Sequence, residues 1–177
     1  MDKRAEEMIE LFETRRSCRR YRPEVIAEEE LSKIVEAGLY APSGMNLQST
    51  KILVIQEKEV RDKLARIAGI YDGNMDGDAF YGAPVVTLVV SDTTNHTWME
   101  DGSLVLGNMM NAASALRVGS CWIHWARETL ETPYGKKLCK KWGLPETYAG
   151  IGFCILGYPQ QENTVKTARK EGRVMYV

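Results

Sequence analysis

Between Trp98 and Leu116 the helical pattern is apolar on nearly every face, carrying Gly102, Val105, Leu106, Met109, Met110, Ala113 and Leu116. A helix with no polar face cannot lie on a surface, so it must be buried in a core or against a second subunit. Pro84 opens a second run of this kind, Val85 to Val90, which is apolar on both faces and therefore central in a sheet. Ile151 to Leu156 is a third, before Gly157-Tyr158-Pro159. A chain of 177 residues reads as one domain over residues 1–177. It can bury roughly 70% of its unfolded surface, so neither disulfides nor a metal is needed to hold such a core. At 44% hydrophobic and 27% charged residues, disorder, collagen and coiled-coil architectures are excluded.

The remaining pattern surrounds that core with mixed elements. Ala5, Met8, Ile9 and Phe12 fall at helical spacing and predict an amphipathic first helix ending near Thr14. Leu31, Ile34, Val35 and Gly38 predict a second over about 27–39, broken by Ala41-Pro42-Ser43-Gly44. That break opens a loop to about Ser49. Ile52 to Ile55 is a short β-branched strand, and Val60, Leu64, Ile67 and Ala68 mark a third helix. A Gly- and Asp-rich loop follows from Gly69 through Gly82. Cys121-Trp122-Ile123 reads as a strand, and Thr132-Pro133 starts a helix that runs to Trp142. Val174 to Val177 is strand-like with no partner nearby in sequence.

Several functions are excluded by what is missing. No apolar run reaches the ~18 residues of a membrane span. No apolar segment follows Met1 to Glu7, so no signal peptide is expected and a cytoplasmic protein is the reading. Cys18, Cys121, Cys139 and Cys154 lie far apart, and His96 and His124 are the only histidines. Neither a metal site nor a disulfide framework is expected, and reduced thiols are the simplest account. P-loop, Rossmann and nucleophile-elbow motifs are absent.

The net charge of −1 conceals an asymmetry. Residues 15–22 hold Arg15, Arg16, Arg19, Arg20 and Arg22 with no acid. Residues 166–173 hold Lys166, Arg169, Lys170 and Arg173 against Glu171. These segments carry +5 and +3, leaving −9 for the rest. Two such clusters form either a concentrated anion site or two solvated tails. A nucleic-acid patch is the weaker alternative, since Tyr21 is the only aromatic in the first run and no nucleic-acid module is recognisable. The Pro42–Gln48 loop, taken alone, is equally well a helix-to-strand turn.

Together, five segments in this order resemble the FMN-dependent nitroreductase family over nearly the whole chain. They are Arg15-Arg16-Ser17-x-Arg19 after the first helix, Ala41-Pro42-Ser43-Gly44-x-Asn46-x-Gln48 before a strand, and Gly82-Ala83-Pro84 opening a Val-rich strand. The buried helix leading to Gly119-Ser120-Cys121-Trp122-Ile123 is the fourth, and Leu156-Gly157-Tyr158-Pro159 before a basic tail is the fifth. The resemblance implies an α+β fold: a central, mostly antiparallel sheet flanked by helices, with the C-terminal strand exchanged in a homodimer. It implies bound FMN, reduced by NADH or NADPH and reoxidised by a small-molecule acceptor such as a nitroaromatic or quinone. No membrane or nucleic-acid partner follows from it.

By the same resemblance Arg15 and Ser17 match phosphate ligands, a guanidinium fork and a hydroxyl donor, with Arg16 beside them. Arg19 is placed at the N1/O2 edge of the flavin, where a cation stabilises the charge of the reduced ring. Lys166 and Arg169 become a second phosphate clamp. Pro42, Ser43, Gly44, Asn46 and Gln48 approach the ring from the neighbouring subunit. Asn74 matches a pyrimidine-edge position, or else a solvated turn, and Trp122 and Ile123 face the ring region. For His124 a packed strand end is the better reading, and Cys121 is structural. No catalytic side chain is required, because the chemistry belongs to the cofactor. Larger members carry an insertion after the buried helix and strand. Here about 24 residues separate Ile123 from Tyr148, so no donor to flavin N5 is assigned. A flavin store or sensor without turnover, and a specialised reductive enzyme such as a dehalogenase, are the alternatives.

Overall fold

A computed structural model describes residues 2–73, 77–161 and 165–177. Four strands, β1 (Lys51–Ile55), β2 (Val85–Asp92), β3 (Gly119–Ile123) and β4 (Tyr148–Gly157), form one sheet in the order β1-β2-β4-β3. Every pairing is antiparallel. The two most apolar strands take the centre, as runs without a polar face must.

Period-two alternation divides each central strand between two cores. Val86, Leu88 and Val90 of β2, with Phe153 and Ile155 of β4, face α3 (Lys58–Tyr71), α5 (Ala126–Glu131) and α6 (Pro133–Lys141). Val85 and Val89, with Cys154 and Leu156, face α2 (Glu28–Leu39) and α4 (Trp98–Ala115). The β2–β4 register shifts between Val89 and Val90. Gly102 of α4 lies over this bulge, and a Cβ there would come within 2.4 Å of Ile151 Cγ1. Close approach, not turn geometry, requires that glycine. Asn108 Nδ2 ties α4 to α2 by donating to the Ala37 carbonyl at 3.1 Å.

The α+β sandwich expected from the sequence is therefore present. Boundaries differ from the expectation: β4 begins at Tyr148 rather than Ile151, β3 at Gly119 rather than Cys121, β2 runs to Asp92 and α3 to Tyr71, and α5 is an additional helix. α1 (Lys3–Thr14) has the expected amphipathic stripe but buries none of it. Met8 and Phe12 are each more than half exposed. Val174, Met175, Tyr176 and Val177 are also exposed, and among the described residues they belong to no strand. No described helix is long and apolar enough to cross a membrane.

Candidate functional site

The arginine segment leaves α1 as an extended strip pinned at both ends. Cys18 N donates to the Ser120 carbonyl at 2.8 Å, making a one-residue parallel bridge between Ser17 and Ser120 at the edge of β3. Four residues on, Arg22 N donates to the Tyr158 carbonyl at 2.8 Å. Tyr21 between them is buried, with its hydroxyl donating to the Cys18 carbonyl. Burial raises the Tyr21 phenol pKa well above its ordinary value, so it stays a neutral hydrogen-bond donor.

This strip walls a cavity of about 760 Å³ together with α1 and the C-terminal end of α4. Arg15, Arg16, Ser17, Arg19 and Arg117 line it, and Glu7 and Glu10 supply the acids. Arg16 Nη1 donates to the carbonyls of Glu13 and Arg15 at 2.8 and 2.7 Å. Its Nε and Nη2 atoms, and Arg15 Nη1, are buried without any partner. An unpaired guanidinium atom away from water is costly, and the two side chains that carry these three belong to residues lining the cavity, whose arginine-rich wall suits an anion.

The basic tail touches the end of α1, but neither Lys166 nor Arg169 is among the residues that line the cavity. Lys166 Nζ pairs with Glu13 Oε2 at the end of α1, and that hydrogen bond holds the ammonium pKa above its usual range. Arg169 lies three residues further along the exposed tail. Arg19 turns towards the opposite loop, its Cζ 5.9 Å from the centre of the Tyr81 ring. Asp78 holds that loop by accepting from the Phe80 and Gly82 amides. Asn74 lies outside the described residues.

The Pro42–Gln48 loop stands elsewhere, on the N-terminal end of α4. Gly44 N donates to Asp101 Oδ1 at 3.0 Å, and Thr97 Oγ1 donates to Asp101 Oδ2 at 3.2 Å. A Cβ on Gly44 would come within 2.2 Å of Thr97 Oγ1. Met45, Asn46 and Gln48 have φ of 51°, 54° and 50°, a left-handed cluster that non-glycine residues adopt only under constraint. Asn46 and Gln48 are exposed and hydrogen-bonded to each other at 3.0 Å, while Pro42 is exposed and Ser43 Oγ accepts from Gln48 N. α4 has 18 residues, so its ends are about 27 Å apart. One chain does not bring this loop to the arginine cavity.

Trp122 and Ile123 are not brought to the cavity either. Trp122 lies half-buried over Gly152 on the α4 side, whereas Ile123 is buried in the opposite core. Adjacent strand residues point to opposite faces, so the two side chains pack in different cores. Among residues the sequence reading missed, Asp101 is a nearly fully buried acid in an otherwise greasy helix, and that contrast was visible in the sequence. Arg117 was visible too, as the first charge after Leu116.

The family model described as the nitroreductase family matches residues 12–70 and 71–158. The chain belongs to the nitroreductase family. A solved nitroreductase with bound FMN from Bacteroides fragilis is 26% identical, covers 97% of this chain and 98% of its own, and superposes with a TM-score of 0.85. An FMN-dependent nitroreductase from Clostridium difficile is also 26% identical, with coverage of 96% and 100% and a TM-score of 0.81. An NADPH-flavin oxidoreductase of Vibrio harveyi is 27% identical over 168 residues, 89% of this chain and 68% of that protein. Membership makes this chain an oxidoreductase of the nitroreductase type.

Proposed function

We propose that this chain is an FMN-dependent NAD(P)H oxidoreductase that works as a homodimer. The observation that carries the reading is the concentration of arginines, Arg15, Arg16, Arg19, Arg20 and Arg117, around the 760 Å³ cavity. Those donors and the Ser17 hydroxyl fit a phosphate dianion. Lys166 and Arg169, from a tail anchored at Glu13, add charge at the same end. Arg19 reaches away from the phosphate end and supplies a fixed cation for the ring's pyrimidine edge. When bound, FMN supplies the redox chemistry, accepting hydride from NADH or NADPH and passing two electrons to an acceptor such as a nitroaromatic or a quinone.

The homodimer rests on the separation along α4. If two chains pack with their α4 helices antiparallel, the Pro42–Gln48 loop of one meets the arginine strip of the other, and both sites form at once. Met8, Ile9, Phe12, Leu39, Tyr40 and Leu104 are exposed apolar residues that such a partner would cover. A strand exchange by Val174 to Val177 is part of the same proposal. β1 is the open edge for it, since the bridge from Ser17 covers β3.

The test is the visible spectrum of the purified protein, the mass of its released chromophore, and anaerobic titration with NADH and with NADPH. One FMN per chain, bleached by either nucleotide, is the expected result. Bound FMN that neither nucleotide bleaches would make the protein a store or sensor. A colourless protein that fails to take up FMN would end the proposal.

A further inference from the structure

α4 ends in a Schellman motif: Val118 N donates to the Ala113 carbonyl at 2.8 Å, and Arg117 N to the Ser114 carbonyl at 3.1 Å. Val118 completes the motif by packing, buried, in the same cluster as Ala113 and Leu116. The motif demands a left-handed residue at position 117, a place glycine fills without penalty. Here the residue is arginine, with φ +57°. An L side chain in that conformation is strained, and strain of this kind persists where it positions something.

Arg117 is exposed and lines the cavity together with Arg15, Arg16 and Ser17. Among the described residues no hydrogen bond or ion pair holds its guanidinium. The surroundings explain why a cation is wanted there. The last carbonyls of α4 point their negative end at this wall, and Glu7 and Glu10 of α1 face the same space. Without Arg117 that side of the cavity would repel an anion.

We propose that Arg117 is a further phosphate-binding residue of this cavity, held in a strained helix cap so that its guanidinium meets the terminal phosphomonoester of FMN. The proposal rests on the FMN reading above. It separates two ligands that share a ring system and differ only in that phosphate, FMN and riboflavin.

The experiment titrates FMN and riboflavin into apoprotein of wild type, Arg117→Gly and Arg117→Lys, and records the thermal midpoint of each apoprotein. Arg117→Gly is expected to bind FMN about tenfold more weakly, the loss of one solvent-accessible charge-assisted contact, with riboflavin affinity unchanged. Its midpoint should not fall, because relief of the cap strain offsets the lost helix-end cation. Arg117→Lys should recover part of the FMN preference. Equal loss for both ligands, or unchanged FMN affinity with a lowered midpoint, would overturn the proposal and make Arg117 a helix-end cation only. A wild type that binds neither ligand would instead refute the FMN reading itself.

Discussion

Removing the Asp101 carboxylate should release the Pro42–Gln48 loop without unfolding the protein. Asp101 is 3% exposed, and its two oxygens accept from Gly44 N and Thr97 Oγ1. Each hydrogen bond to a charged group contributes roughly 1.5–3 kcal/mol. The buried carboxylate bears a desolvation cost that its removal returns, and half-exposed Gly44 can recover a water. The net loss in Asp101→Ala is then about 2 kcal/mol. Against this stand three left-handed residues, Met45, Asn46 and Gln48, each costing roughly 1 kcal/mol. Once the tie is cut, that strain drives the loop open while the cores are untouched. The amide exchange rate of Gly44 should rise about 30-fold, since 1.4 kcal/mol is tenfold. The urea midpoint should fall only by the part of that loss which the released loop strain does not return. Asp101→Asn should keep most of the protection, because its Oδ1 still accepts from Gly44 and the Thr97 hydroxyl can turn to accept from Nδ2. Unchanged exchange at Gly44 in Asp101→Ala would refute the reasoning, and so would a fall in global stability as large as a core deletion gives.

Two further predictions concern the arginine strip and the sheet. Arg15→Met removes a guanidinium whose Nη1 is buried without a partner, so the apoprotein should melt no lower than wild type while FMN affinity falls at least about 100-fold. Melting curves and FMN titration check it, and a lower apoprotein midpoint would count against the unpaired state. Burial, then the neighbouring Cys121, pushes the Cys154 thiol from its ordinary 9.0 up to about 12. The unfolded chain loses that proton first, so stability is full below pH 9 and declines as pH rises towards 12, by about 1.4 kcal/mol per unit. Urea midpoints between pH 8 and 10.5 should show this limb, and Cys154→Ala should flatten it. A limb that Cys154→Ala leaves equally steep would assign it to Tyr21 and the other raised thiols.

The elements legible in the sequence were those whose burial pattern admits one environment. Val85 to Val90 is apolar on both faces, so its central place followed, while the Trp98–Leu116 helix buries Val105, Leu106 and Met109 and leaves Met99 and Leu104 exposed. α5 was illegible for the opposite reason. Its six residues, Ala126–Glu131, carry only two apolar side chains, and contact with β4 holds it rather than periodicity. A Cβ on Gly150 would come within 2.6 Å of the Ala126 carbonyl carbon, so that glycine admits the helix. In the site, the Arg15–Arg19 strip was legible because its charge density is unusual. Trp122 and Ile123 were assigned to the ring region as members of one motif, but strand alternation sends them into different cores.

Three features of the single chain are incomplete, and they are incomplete in a related way. Arg15 and Arg16 have buried donors without acceptors. The Pro42–Gln48 loop holds a strained conformation that presents Asn46 and Gln48 to open space. α1 carries an apolar stripe that nothing covers. Each would be costly if it were final, since buried donors, backbone strain and exposed apolar surface all oppose folding. A phosphate completes the first, but it does nothing for the other two. In the proposed homodimer a second chain would cover α1 and place the strained loop against the arginine cavity in one step. Because α4 separates the loop from the cavity by its full length, no rearrangement within one chain that preserves α4 gives the same result. FMN affinity should therefore depend on protein concentration across the range where the dimer dissociates.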